Sequence, residues 1–167
     1  MRGYISHNRH SDMEVKSSSS ARHIMTIEQL SVFVENKPGK LVEALEALSG
    51  AKIDLRALSL ADTADFGILR IIVDKPAEAL EVLDDAGFLV KSNEVLAVVI
   101  DDRPGGLAAV LRVLSKDGID IEYTYAFIAH SHDKAYVILR VDNNDAAVKI
   151  LKANGIDMLD AKEMYNM

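Results

Sequence analysis

A repeat at a spacing of 66 residues governs what this chain can fold into. Ser31-Val32-Phe33-Val34-Glu35-Asn36-Lys37-Pro38-Gly39-Lys40-Leu41 returns as Ala97-Val98-Val99-Ile100-Asp101-Asp102-Arg103-Pro104-Gly105-Gly106-Leu107. Ile53-Asp54-Leu55 returns at the same spacing as Ile119-Asp120-Ile121. Further on, Ile68-Leu69-Arg70 corresponds to Val137 or Ile138, Leu139 and Arg140 at a spacing of 70, so the second copy is expected to carry a longer internal turn. Gly87-Phe88 then matches Gly155-Ile156. Self-similarity at such a period marks two copies of one supersecondary unit, each relying on its neighbour for burial.

Both copies pass through the same order of patterns. Leu30 to Glu35 is a short, apolar, β-rich run stopped by Asn36-Lys37-Pro38-Gly39, which reads as a strand turning tightly into a helix. Leu41, Leu45 and Leu48 recur at i, i+4 and i+7 with Val42 and Ala44, an amphipathic helix ended by Gly50. Lys52–Leu60 and Phe66–Val73 read as strands around a turn at Ala61 to Asp65. Pro76 opens a second helix closed by Gly87, and Phe88–Val90 is the last strand. The second copy reads as strand 95–100, helix 104–115, strands 119–129 and 134–141, helix 144–152 and strand 156–163. The unit is βαββαβ, so the chain is an α+β protein of two tandem ferredoxin-like modules, antiparallel sheets with helices on one face. A module of roughly 70 residues has a marginal core and open strand edges. An eight-stranded sheet joined at or near the second strands is therefore expected.

The remaining organisation follows from composition. Met1 to Ile24 carries four consecutive serines, scattered Arg and three of the five histidines, with no hydrophobic periodicity. It is expected to be a disordered leader, followed by modules over 25–93 and 94–167. No apolar secretory core stands in it, a basic, Ser-containing organelle leader remains open, and Met25 is a candidate start. With 49% hydrophobic and 27% charged residues over its full length, the chain is expected to fold. A net charge of -7 argues against nucleic acid and anionic membrane as partners. The absence of Cys removes disulfides, thiolate metal sites and a cysteine nucleophile, and suits a reducing cytoplasm. No apolar run approaches the roughly 18 residues a spanning helix needs.

The turn between first strand and first helix is the candidate site in each copy. Pro38 and Pro104 suit a first helical turn, while Gly39 and Gly105 let a ligand approach the backbone. Free N–H groups of Gly39, Lys40 and Leu41 would form a positive pole suited to a carboxylate. Asn36 or Asp102 beside that pole would accept from an ammonium, so the pair of groups matches the two ends of an amino acid. The competing reading is simple capping, because Asn and Asp are favoured helix caps and Pro-Gly is common in turns. Asp54 and Asp120 stand at the start of the second strand, where they would meet a partner's turn if modules joined along that strand.

Asn36-Lys37-Pro38-Gly39-Lys40-Leu41 and Asp102-Arg103-Pro104-Gly105-Gly106-Leu107, each followed by a helix and Ile-Asp-Leu or Ile-Asp-Ile, resemble the Asn-x-Pro-Gly-x-Leu and Asn/Asp-Ile elements of ACT domains. The resemblance covers both halves and implies a non-catalytic, amino-acid-binding regulator of amino-acid metabolism. It further implies modules associating side by side as a homodimer, with amino acids between them near the first turn and second strand. It nominates Asn36, Pro38 and Gly39 in the first copy, Pro104, Gly105, Gly106 and Leu107 in the second, and Asp54 and Asp120 at the strand starts. Asp102 replaces the commoner Asn, so the two sites need not be equivalent.

No cofactor and no resident metal are expected. Among other readings, a regulatory subunit of a separate enzyme such as acetolactate synthase is compatible with the resemblance. An enzyme on the same scaffold lacks a phosphate loop, a His-Glu-x-x-His or a nucleophile–base motif. His7 and His10 in the leader, and His130 and His132 at a hairpin, lack a third ligand in their patterns. An RNA-binding module would stack bases on a stripe such as Tyr123, Tyr125 and Phe127. In an acidic chain that stripe is better read as a core face or an interface between sheets. Deleting Met1 to Ile24 is expected to leave the thermal melting midpoint and the oligomeric state nearly unchanged. A loss of several degrees would show that the segment packs on the modules.

Overall fold

Between Gly87 and Pro104 the chain contains neither Gly nor Pro, and the computed structural model places one unbroken strand there. The structure describes residues 25–62, 66–127 and 133–167. In chain order these form β1 (Ile27–Glu35), α1 (Lys40–Gly50), β2 (Leu55–Asp62), β3 (Phe66–Val73), α2 (Pro76–Asp85) and β4 (Leu89–Asp101). There follow α3 (Gly106–Lys116), β5 (Ile121–Phe127), β6 (Lys134–Val141), α4 (Asn144–Ala153), β7 (Met158–Leu159) and α5 (Ala161–Tyr165).

The long strand β4 serves both modules. Its first half pairs with β1, antiparallel, from Phe33↔Leu89 to Ile27↔Val95. Its second half pairs with β6, from Leu96↔Leu139 to Asp101↔Lys134, and with β7 through Ala97 and Val98. The result is a seven-stranded sheet of order β2-β3-β1-β4-β6-β5 with β7 on β4. The expected eighth strand is absent because Phe88–Val90 and 95–100 are one strand. The halves do share a sheet, but β4 joins them, and the second strands stand at the two ends of the hydrogen-bonded order. The expected strand 156–163 is likewise shortened, because Asp160 and Glu163 form a capping box that starts α5.

Pairing also corrects the alignment of the copies. Leu30 faces Ile71, and its counterpart Leu96 faces Leu139, so the third strands are equivalent at a spacing of 68. Arg70 therefore corresponds to Ile138 rather than to Arg140. A two-residue shift keeps every side chain on its own face, so periodicity gives no sign of it.

Each module builds a core between its helices and one sheet face. In the first, Ala44 and Leu48 of α1 and Ala79 and Leu83 of α2 meet Leu30, Val32, Leu69 and Ile71. In the second, Val110, Leu114, Ala147 and Leu151 meet Leu96, Val98, Val137 and Leu139. Full burial of each such Leu or Ile contributes about 1.5–3 kcal/mol.

A third core forms where the helix-free faces close on each other. Ile27, Ala57 and Ile72 of the first module pack with Ala97 and Ile138 of the second, and Met164 of α5 is buried among them. The sheet thus curls until its end strands β2 and β5 lie side by side. Tyr165 closes one end: its hydroxyl accepts from the Glu28 N–H at 3.0 Å and its carbonyl from Arg56 Nε at 3.1 Å. Tyr125 and Phe127 pack against this core, as expected for an interface between sheets.

Fully buried Gln29 holds the two halves in one register. Its amide nitrogen donates to Tyr123 Oη at 2.9 Å and its oxygen accepts from Tyr125 Oη at 2.9 Å. Burial pushes the Tyr125 phenol well above its ordinary value. An unfolded phenol ionises near pH 10 while the folded one stays protonated, so the unfolded state then holds fewer protons and stability falls as pH rises. Tyr125→Phe orphans the Gln29 oxygen and is expected to cost about 1–3 kcal/mol in urea unfolding at pH 7. The same variant should flatten the decline in stability above about pH 10.

Candidate functional site

Both candidate turns are shaped by a glycine with positive φ. Gly39 (φ 90°) and Gly105 (φ 89°) stand immediately before α1 and α3, and neither helix receives a side-chain cap. The cap position of each helix is thus a glycine, three residues past Asn36 and Asp102, and it has no side chain to offer the helix start. A Cβ on either glycine would point into open space, so both turns present bare backbone outward.

Donors at these turns differ from expectation in one respect. The Lys40 N–H donates to the Lys37 carbonyl at 3.3 Å, and the Gly106 N–H to the Arg103 carbonyl at 3.0 Å. Leu41 and Leu107, by contrast, make no such backbone bond, which leaves helix-start N–H groups for a ligand or water. The Leu41 and Leu107 side chains pack against their own module's core.

Charges are arranged differently at the two turns. At the first, Lys37 pairs with Glu35 at 2.7 Å and Lys40 with Glu43 at 2.6 Å. The hydrogen bond from Lys37 holds the Glu35 carboxyl below its usual range. Asn36 is exposed and lies beside Gly67 of β3. At the second turn Asp101 is shared, with Lys134 at 2.7 Å and Arg103 at 3.3 Å. The Lys134 hydrogen bond, then its charge, lowers the Asp101 value. The pair is therefore charged at neutral pH and is lost only as pH falls through that lowered value.

A cleft of about 410 Å³ opens against the second turn. Its lining includes Pro104, Gly105 and Gly106 of the turn, the apolar Val110 and Ile156, and Asn154 and Asp157 from the segment after α4. Lys134 and Arg103 bring cationic groups to it, and Asp101 and Asp157 bring anionic ones. Such a cleft offers both charges of a zwitterion a partner within one small volume. Gly155 was legible as a helix closure, but Lys134, Asn154 and Asp157 carry no sequence signal, because β6 and the α4–β7 turn reach the cleft only through the sheet.

Asp54 and Asp120 are not brought to the turn of their own module. Glu35 pairs with Phe66 at one end of β3, whereas Leu55 pairs with Val73 at the other. The two ends are seven residue steps apart along β3, about 23 Å at the usual rise. Each aspartate instead enters a strand clasp. The Asp54 N–H donates to Asp74 at 2.9 Å and the Asp120 N–H to Asp142 at 3.1 Å. The Asp54 carboxylate pairs with Arg56 at 2.7 Å. His7, His10, His130 and His132 lie outside the described residues.

The family description "ACT domain pair" matches residues 25–167. The chain belongs to the ACT domain family. This ACT pair is similar to a protein of known structure from Bacteroides thetaiotaomicron, with 41% identity, a TM-score of 0.82, and coverage of 87% of this chain and 99% of the other. The regulatory subunit of aspartate kinase from Thermus thermophilus shares the fold at 18% identity and a TM-score of 0.57, covering 78% and 93%. Aspartate kinase from Synechocystis does so at 18% identity and 0.52, covering 84% of this chain and 26% of that one. No curated protein matches the ACT pair.

The two ACT turns differ most at Gly106, whose counterpart is Lys40. A Cβ at Gly106 would collide with the Asp101 carbonyl oxygen, whereas the first copy accommodates a full lysine at that place. Gly106→Ala is expected to lower stability by about 1–3 kcal/mol. Lys40→Ala should stay within about 0.5 kcal/mol. Thermal unfolding of both variants, followed by circular dichroism, checks the difference.

Proposed function

We propose that the chain is a non-catalytic regulatory ACT pair that binds a free amino acid at the second turn. The observation that carries this reading is the cleft in which the uncapped start of α3 meets Gly105, Lys134 and Asp157. The ligand carboxylate would take the N–H groups around Gly105 and Leu107 with Lys134 beside them. Its ammonium would lie near Asp101, Asp102 or Asp157, and its side chain on Val110 and Ile156. The first turn, with Asn36, Pro38 and Gly39, would be the related site, its cations already matched by Glu35 and Glu43. Asp54 and Asp120 would contribute only across an interface between chains, in a homodimer.

The proposed modules divide within β4, near residues 93 and 94. The Thermus protein supports a separable regulatory role, since it has this fold and is itself a regulatory subunit. By that reasoning the chain would act in amino-acid metabolism on a separate enzyme, and would work in the cytoplasm.

Calorimetry against the twenty amino acids tests the reading. One of them should bind with a Kd between about 1 µM and 1 mM, because so small a ligand buries few atoms. Lys134→Ala should weaken it by about 1–3 kcal/mol through a lost charged hydrogen bond. Gly105→Val should abolish it, both by occupying the approach and by straining a positive φ. No heat from any amino acid at millimolar concentration with folded protein would overturn the reading, as would Lys134→Ala and Gly105→Val variants that bind like the parent.

A further inference from the structure

The duplication supplies an internal control for which side chains the fold requires on the helix-free face. Across the first module the strands place Ser59, Arg70, Ser31 and Lys91 in one row. Across the second, the same row is Tyr125, Ile138, Ala97 and Leu159. The second row belongs to the core between the halves, with Ala97 and Ile138 fully buried. The first row is polar at every position and holds two cations, so the fold does not need this chemistry there.

Its donors are also unspent. Arg56, Arg103 and Arg140 each face a carboxylate within 3.4 Å, whereas among the described residues Arg70 and Lys91, like the exposed Arg112, form no ion pair. The Arg70 guanidinium lies 4.0 Å from the Tyr123 ring centroid, and its buried Nε has no hydrogen-bond partner. Ser31 Oγ accepts from Gln29 at 3.2 Å and from Asn93 at 3.1 Å, and Tyr123 Oη accepts from Gln29 at 2.9 Å. Neither hydroxyl donates its own proton to a described residue. A guanidinium, an ammonium and two hydroxyls with undonated protons thus share one region with no carboxylate in the row, an arrangement that a bound anion would complete.

Beside this donor row the surface turns apolar. Phe33 pairs with Ile68 on one side and Leu89 on the other, on the same face, and Leu89 is 61% exposed. Lys91 Nζ stands 5.8 Å from the Phe33 ring centroid, at the boundary between the two zones. Glu35, beyond Phe33 on this face, is held by Lys37 and is the carboxylate that limits the patch. A ligand ammonium would find two cations and no free acid in the donor row.

From this we infer that the helix-free face of the first module is a second ligand site, for a small carboxylic acid with an apolar tail and no ammonium group. The carboxylate bridges Arg70 and Lys91 and accepts from Ser31 and Tyr123. The tail lies on Phe33, Ile68 and Leu89. Tyr123 belongs to the second module, so occupation of this site bears on the contact between the halves.

Titration of the full, isotope-labelled chain with 4-methylpentanoate, followed by amide NMR, tests the assignment. Shifts are expected at Ser31, Phe33, Arg70, Lys91 and Tyr123, with the amides of Gly105 and Gly106 unmoved. Movement at those glycines reports on the separate amino-acid site, so failure of one reading is distinguishable from failure of the other. Lys91→Leu and Ser31→Ala, which install the second module's residues, should each weaken the acid about tenfold, and Arg70→Ile more, with Lys91→Leu leaving the melting midpoint unchanged. The amine of the same tail, leucine and inorganic phosphate should bind at least about tenfold more weakly than the acid. Absence of shifts at about 10 mM acid, equal binding of the amine or of phosphate, or parent-like binding by the Lys91→Leu chain would overturn the proposal.

Discussion

Strand β4 is the element on which the rest depends. Because Leu89–Asp101 contributes its first half to one sheet and its second half to the other, neither module can be removed without exposing half of a ladder. A shared strand also fixes the relative direction of the modules. Their candidate turns lie at opposite ends of the assembly, the first beside the start of β3 and the second at the end of β4. Sites placed so far apart cannot be one pocket, and their chemistry has been free to diverge.

Continuity alone would leave two flat sheets in line. Curling them requires the third core, in which Ile27, Ile72, Ala97, Ile138 and Met164 exclude water from the part of the helix-free faces where the modules meet. An apolar contact of this kind tolerates sliding, and the Gln29 amide removes that tolerance, since two of its three partners come from β5 and would be left unsatisfied by any other register. The short α5 adds a second lock, with Tyr165 bonded to both β1 and β2 of the other module. The C-terminal residues therefore hold together the beginning of the fold.

The copies retain the same skeleton and differ in what they place on it. The positive-φ glycine, the uncapped helix start and the aspartate clasp recur in each. Lys40 against Gly106, and Arg70 against Ile138, separate them. Gly106 draws α3 tightly onto the end of β4 and shapes the second turn, while Arg70 keeps the first module's open face polar. One duplicated frame thus presents different chemistry in its two copies.

Most of the secondary structure was legible because it is local. Leucines at helical spacing, Pro76 at a helix start, and Gly87 and Gly155 just past helix ends specify their elements within a few residues. The repeat motif likewise located Pro104, Gly105 and Gly106, which do line the cleft. What lay beyond the sequence is whatever depends on pairing across distance: the fusion of two expected strands into β4, the spacing of 68 that matches Arg70 to Ile138, and the meeting of β2 with β5. Lys134 and Asp157 reach the cleft, and Asp54 and Asp120 miss their own turns, for the same reason. Periodicity tells which face a side chain occupies, but only the register of strands some 70 residues apart tells which neighbour it meets there, and that register was set by burying three cores at once.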